Sequence, residues 1–130
     1  MLDIINSMKN EILYSLKPQY MDMILRGDKS HEYRNVIPKV IPKRLWFYIT
    51  KPKYQLEYIV DVLEPIFKPD KDSNIAFPIS KIYKIQNPIN LKDLREKYNF
   101  TPPQGFVYMS KYPNLYYDIT NNFNYEQNLR

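Results

Sequence analysis

Lys29, Glu32 and Arg34 follow Gly27 in the run Gly27-Asp28-Lys29-Ser30-His31-Glu32-Tyr33-Arg34, and their types and spacing suit chemistry best. In an extended segment Glu32 and Arg34 share parity and can pair on one face. Lys29 lies at odd parity with Arg34, so a twist or bulge after the glycine is needed to bring all three together. Gly27 suits a sharp turn because it adopts backbone angles that other residues avoid. A carboxylate beside two cations stays ionised. The arginine fork can grasp a phosphate or a base edge, and the carboxylate can accept from amino groups. The plainer alternative is an ion pair that only orients a strand, with Lys29 solvated. His31 reads as an ordinary strand residue.

The elements that must position this trio follow from periodicity. Residues 12–16 are apolar and bounded by Lys17-Pro18, a first strand. Tyr20, Met21, Ile24 and Leu25 recur at helical spacing after Pro18, and Gly27 stops that helix. Residues 29–34 form a second extended segment, with His31 and Tyr33 on one face and Ser30, Glu32 and Arg34 on the other. Pro38 and Pro42 exclude a central strand there. Residues 44–50 are the strongest strand, 56–63 another, and 68–74 a polar loop. Residues 76–89 favour strand but are interrupted by Pro78 and Pro88. Asn90 caps a small helix with Leu91, Leu94 and Tyr98 on one face. Residues 106–109 return as an edge strand able to pair across a homodimer. The expectation is one α+β domain over 1–130: a leader at 1–9, a core at about 12–109 and a polar tail at 114–130. Its simplest form is a mixed β-barrel of five to six strands with two short helices.

With no cysteine and one histidine among 130 residues, cysteine zinc sites, disulfide scaffolds, thiol nucleophiles and multi-histidine metal sites are excluded. Two glycines build neither a phosphate loop nor a dinucleotide fingerprint, so no cofactor and no metal are expected. No apolar run approaches the roughly 18 residues of a membrane span, which leads us to expect an intracellular protein, cytoplasmic or nuclear, without a membrane partner. Charge is concentrated: residues 26–53 hold eight basic residues against Asp28 and Glu32, while the whole chain carries +5. Such a field attracts polyanions. The 13 tyrosines suit strands and can stack on bases. Abundant lysine, asparagine, isoleucine and tyrosine suit a small protein of an AT-rich genome or virus.

The pattern Gly27-x-Lys29-x-x-Glu32-x-Arg34 resembles the start of the ASCH family of the PUA-like superfamily. Residues 46–50, 88–95 and the Pro102-Pro103-Gln104-Gly105-Phe106 segment resemble later blocks of its small members, in the same order. Longer members carry extra helices where this chain has only residues 65–74. The resemblance implies a PUA-like barrel that captures a nucleotide or base in a cleft between the first helix and the barrel. Expected pocket residues are Lys17, Lys29, Glu32, Tyr33, Arg34, Trp46, Tyr48, Gln104 and Phe106, with stacking on Tyr33, Trp46 or Tyr48. Trp46 and Phe47 have opposite parity, so one of them is core. Lys39, Lys43, Arg44, Lys51 and Lys53 are expected to grip phosphates, and RNA is favoured over DNA because unpaired bases enter pockets more readily. Two other classes stay open. Some small ASCH-type proteins are similar to amidohydrolases that deacetylate N4-acetylcytidine with a lysine, a threonine and a glutamate, and others are linked to RNA cleavage. Lys29 matches that lysine, whereas Glu32 occupies the threonine position; Ser30 is the nearby hydroxyl, and Glu57 or Glu64 is the candidate second acid. The last class is a protein-interaction or inhibitor role.

Overall fold

A computed structural model describes residues 7–120 and the backbone of a final strand at 123–128. Strands are β1 (Glu11–Leu16), β2 (His31–Arg34), β3 (Arg44–Ile49), β4 (Gln55–Val62), β5 (Ile66–Phe67), β6 (Ile75–Asn90), β7 (Phe106–Tyr108) and β8 (Phe123–Asn128). Helices are α1 (Pro18–Arg26), α2 (Leu91–Tyr98) and α3 (Pro113–Ile119), with a 3-10 turn at Met109–Lys111. The strands form one curled mixed sheet, ordered β2-β6-β4-β3-β1-β7, with β5 and β8 also on β6. β1 and β3 run parallel, and the other neighbours are antiparallel. This is the expected α+β barrel, as a half-barrel with a six-strand path.

Two expectations are corrected. The two prolines do not interrupt β6, which runs 16 residues through both. Pro78 turns its backbone toward the break between β4 and β5, where its carbonyl accepts from Leu63 N–H at 2.9 Å and no donor is required of it. Pro88 falls where the β4 ladder skips from Lys84 to Ile89. The supposed polar tail contributes α3, whose Leu115, Tyr116 and Ile119 are buried, so the core runs on past residue 109. α3 thereby joins the two helices that were expected.

Both faces of the sheet are covered. Ile12, Tyr14, Leu16, Phe47 and Val60 pack on the concave side with Met21 and Ile24 of α1. Leu13, Trp46, Tyr48 and Ile59 pack on the convex side with α2 and α3. Burying Met21 and Ile24 contributes roughly 1.5–3 kcal/mol each and holds α1 against the barrel. Among the described residues, no helix is long and apolar enough to cross a membrane.

Candidate functional site

α1 delivers the trio. Its C-cap is Gly27 at φ 81°, whose N–H returns to the last turn, and the next amides, of Asp28 and Lys29, both reach Met23 O. A Cβ at Gly27 would meet nothing within 4 Å, so the glycine is there for its backbone angle alone. This turn supplies the twist that parity demands. Lys29 Nζ lies 3.2 Å from Glu32 Oε2, and Arg34 Nε lies 3.3 Å from Glu32 Oε1. Glu32 is 3% exposed, with one cation on each oxygen. Lys29 also stands 4.9 Å from the Tyr20 ring of α1.

Arg34 reaches further. Its Nη2 donates to Ser15 O at 3.1 Å, and its guanidinium carbon sits 4.0 Å from the Tyr14 ring centroid. It therefore bridges the seam between β2, at one end of the strand path, and β1. The seam is open because β7 covers β1 only from Ile12 to Tyr14. A cavity of about 360 Å³ lies there, lined by Tyr14, Tyr33, Arg34, Asp72 and Phe106, among others. That volume is near the lower bound of small-molecule sites, roughly 300–1,000 Å³. The Tyr14 and Phe106 rings meet edge-on at 6.2 Å.

Two polar atoms in this seam are buried without a hydrogen-bond partner among the described residues: Tyr14 Oη and Arg34 Nε. The latter has only its ionic contact with Glu32. Burial pushes the Tyr14 phenol well above its ordinary pKa, against the opposing pull of Arg34, so it stands as an O–H donor. Arg34 is offset by Glu32, and Asp72 adds negative charge at the rim. The lining therefore holds one cation and one carboxylate, Arg34 and Asp72, with the Tyr14 hydroxyl beside them, and is close to neutral.

The expected pocket residues divide. Lys29, Glu32 and Arg34 converge, and Tyr33, Arg34 and Phe106 line the cavity. The cavity opens between β2, β1–β7 and the 68–74 loop, not between α1 and the barrel, which corrects the expected cleft. Trp46 and Tyr48 are corrected too: both are buried on the convex side, and Phe47 takes the concave one. Trp46 Nε1 donates to Glu11 Oε1 at 2.7 Å, and Tyr116 O–H donates to Glu11 Oε2 at 2.7 Å. Lys17 and Gln104 are exposed beside the seam without lining it. Tyr14, Asp72 and Ser15 O are site groups that sequence reasoning missed. The shared concave parity of Tyr14 with Ile12 and Leu16 was the one available signal.

The phosphate set does not form one patch. Lys43 and Lys51 flank β3 at opposite ends, about 26 Å apart at strand rise. Arg44 is committed to Asp61 at 2.7 Å, beneath Tyr83, and Lys53 lies 3.6 Å from Glu57. Lys39 and Lys43 are exposed. The second acids are also placed elsewhere: Glu57 is on β4, occupied by Gln55 and lysines, and Glu64 is exposed. Ser30 Oγ pairs with His31 Nδ1 at 2.9 Å on the exposed surface.

Neither a protein-family model nor a curated protein sequence matches the chain. Solved structures do. The ASCH protein from Zymomonas mobilis superposes with a TM-score of 0.66 at 24% identity, covering 82% of this chain and 92% of that one. A serine-to-alanine variant of the same bacterial protein gives 0.65 at 23%, covering 85% and 95%. A tyrosine-to-phenylalanine variant gives 0.66 at 22%, covering 84% and 96%. At these identities the likeness concerns the fold alone: the chain has the α+β barrel fold of the Zymomonas mobilis ASCH protein.

Proposed function

We propose that the protein binds nucleic acid by capturing one unpaired base in the seam cavity between β2 and β1. The observation that carries this reading is the buried Tyr14 hydroxyl, without a hydrogen-bond partner among the described residues, beside a hollow of about 360 Å³ that Tyr14 and the Glu32-paired Arg34 both line. Buried donors are nearly always satisfied, so an acceptor-bearing ligand is the natural complement. Tyr33 and Phe106 offer ring faces to that ligand, and stacking contributes roughly 1–3 kcal/mol per base. The Lys29–Glu32–Arg34 cluster is the scaffold that keeps the guanidinium across the seam. RNA is the favoured polymer, since its unpaired loops and ends present splayed bases. The test is titration of nucleoside monophosphates and of labelled RNA and DNA at two salt concentrations, with Arg34→Met as the control. Binding that weakens tenfold or more in the variant supports the reading. Absence of binding to every probe at low salt removes it.

A further inference from the structure

A second hollow, about 720 Å³ and twice the size of the seam cavity, lies where β1 and β3 finish and α2 begins. Lys53, Tyr54, Lys92 and Arg95 line it, with Glu96 opposing them. Backbone bonds gather further cations at this end of the barrel. Thr50 N–H donates to Leu16 O at 3.0 Å, placing Lys17 beside Lys51. Lys53 N–H donates to Thr50 O at 3.1 Å, and Leu91 N–H donates to Tyr54 O at 2.8 Å, placing Lys92 and Arg95 beside the same loop. Among the described residues, no carboxylate lies within ion-pair distance of Lys17, Lys51, Lys92 or Arg95. Lys53 shares Glu57 with Lys84.

Tyr54 completes the surface. It is 46% exposed although its backbone is pinned at φ 50° by the bond to Leu91, so its ring is held out by a rigid turn. Close to Tyr54 and Arg95 lies the Tyr48 hydroxyl, buried and without a hydrogen-bond partner among the described residues. An exposed aromatic among cations is the arrangement that takes single strands, by stacking a base and neutralising phosphates. The seam lining is close to neutral, so it leaves the phosphates of a captured nucleotide to be neutralised elsewhere. Lys17 stands two residues beyond Ser15, about 7 Å from the seam along the chain and about 10 Å from β4 across the sheet.

We infer that this end of the barrel grips the backbone of a single-stranded nucleic acid, with one base stacked on Tyr54. The inference deepens the base-capture reading by making the ligand a polymer. Fluorescence anisotropy with labelled single-stranded RNA and DNA about ten nucleotides long tests it. The exposed triple variant Lys53→Ala/Lys92→Ala/Arg95→Ala should bind at least tenfold more weakly at low salt. Its slope of log affinity against log salt should fall by about two, at roughly 0.7 for each phosphate that is no longer neutralised. Affinity for a nucleoside, which carries no phosphate, should be unchanged. Tyr54→Asn, which keeps the left-handed backbone, should cost about fivefold or more, and Tyr54→Phe should restore binding. Wild-type affinity and slope in the triple variant overturn the inference, as does wild-type protein that binds no polymer. If Arg34→Met is silent while the triple variant is impaired, the seam reading fails and this one stands. Comparing the RNA and DNA arms identifies the polymer.

Discussion

Replacing Tyr14 by phenylalanine removes one oxygen and should move stability and binding in opposite directions. The side chain is 2% exposed and its hydroxyl has no hydrogen-bond partner among the described residues. A buried hydroxyl left unpaired costs about 1–3 kcal/mol. The cavity beside it admits solvent, so the lower end applies, about 1 kcal/mol. Because the ring stays, its packing against Phe106 and its contact with Arg34 survive. The variant should therefore be more stable by about 1 kcal/mol, which raises a urea midpoint by about 0.5 M at a slope of about 2 kcal/mol/M. Base binding should lose one hydrogen bond, about 0.5–1.5 kcal/mol, or about two- to twelvefold in affinity. Urea melts followed by fluorescence, and a titration with the best nucleotide, measure both. A lower midpoint would show that the hydroxyl is satisfied in the free protein, and unchanged affinity would show that it never meets the ligand. Either result refutes the reasoning.

Arg34→Lys keeps the charge but loses the fork that bonds Ser15 O, and should destabilise by about 2 kcal/mol in the same melts while weakening nucleotide binding. Gly27→Ala should cost about 1–2 kcal/mol at φ 81°, with Gly27→Asn milder; a thermal melt decides. Trp46→Phe strips a donor from the buried Glu11 and should cost about 1–3 kcal/mol without altering nucleotide affinity, which separates a core tryptophan from a pocket one. Burial raises the Glu11 carboxyl above 4.5, against the bonds from Trp46 and Tyr116. Its contribution is therefore greatest below 4.5 and is lost as pH rises through the folded value. Wild type should lose stability relative to Glu11→Gln across that rise, and parallel curves for the two proteins would contradict it.

The trio was legible because Glu32 and Arg34 are two residues apart in a strand and a glycine precedes Lys29 by two. What the local pattern lacked was the other wall. Tyr14 and Asp72 come from two distant segments and meet Phe106, which the resemblance had named, only when the sheet curls; beyond the parity that Tyr14 shares with Ile12 and Leu16, no spacing marks them. Trp46 misled for a different reason. Alternation separates it from Phe47, but this sheet is packed on both faces, and parity alone does not say which side is wet. α3 escaped notice because seven residues rich in tyrosine and asparagine give a weak period, although Pro113 stood at its first turn. The strongest strand, β3, was the easiest to read because its six residues are flanked by charged and polar punctuation.

The shortness of β7 has a mechanical consequence. Continued in the same register, its ladder would set Gly105 against Ser15 and Gln104 against Leu16 before meeting Pro103, which has no amide hydrogen to offer. The double proline therefore works like the stop on a zipper, holding the last teeth apart. Ser15 Oγ instead ties itself to Pro103 O at 2.7 Å, and its carbonyl is left over for Arg34. Exchanging Pro102 and Pro103 for residues with free amides would let the edge knit shut, and the protein would trade its doorway for a tighter weave.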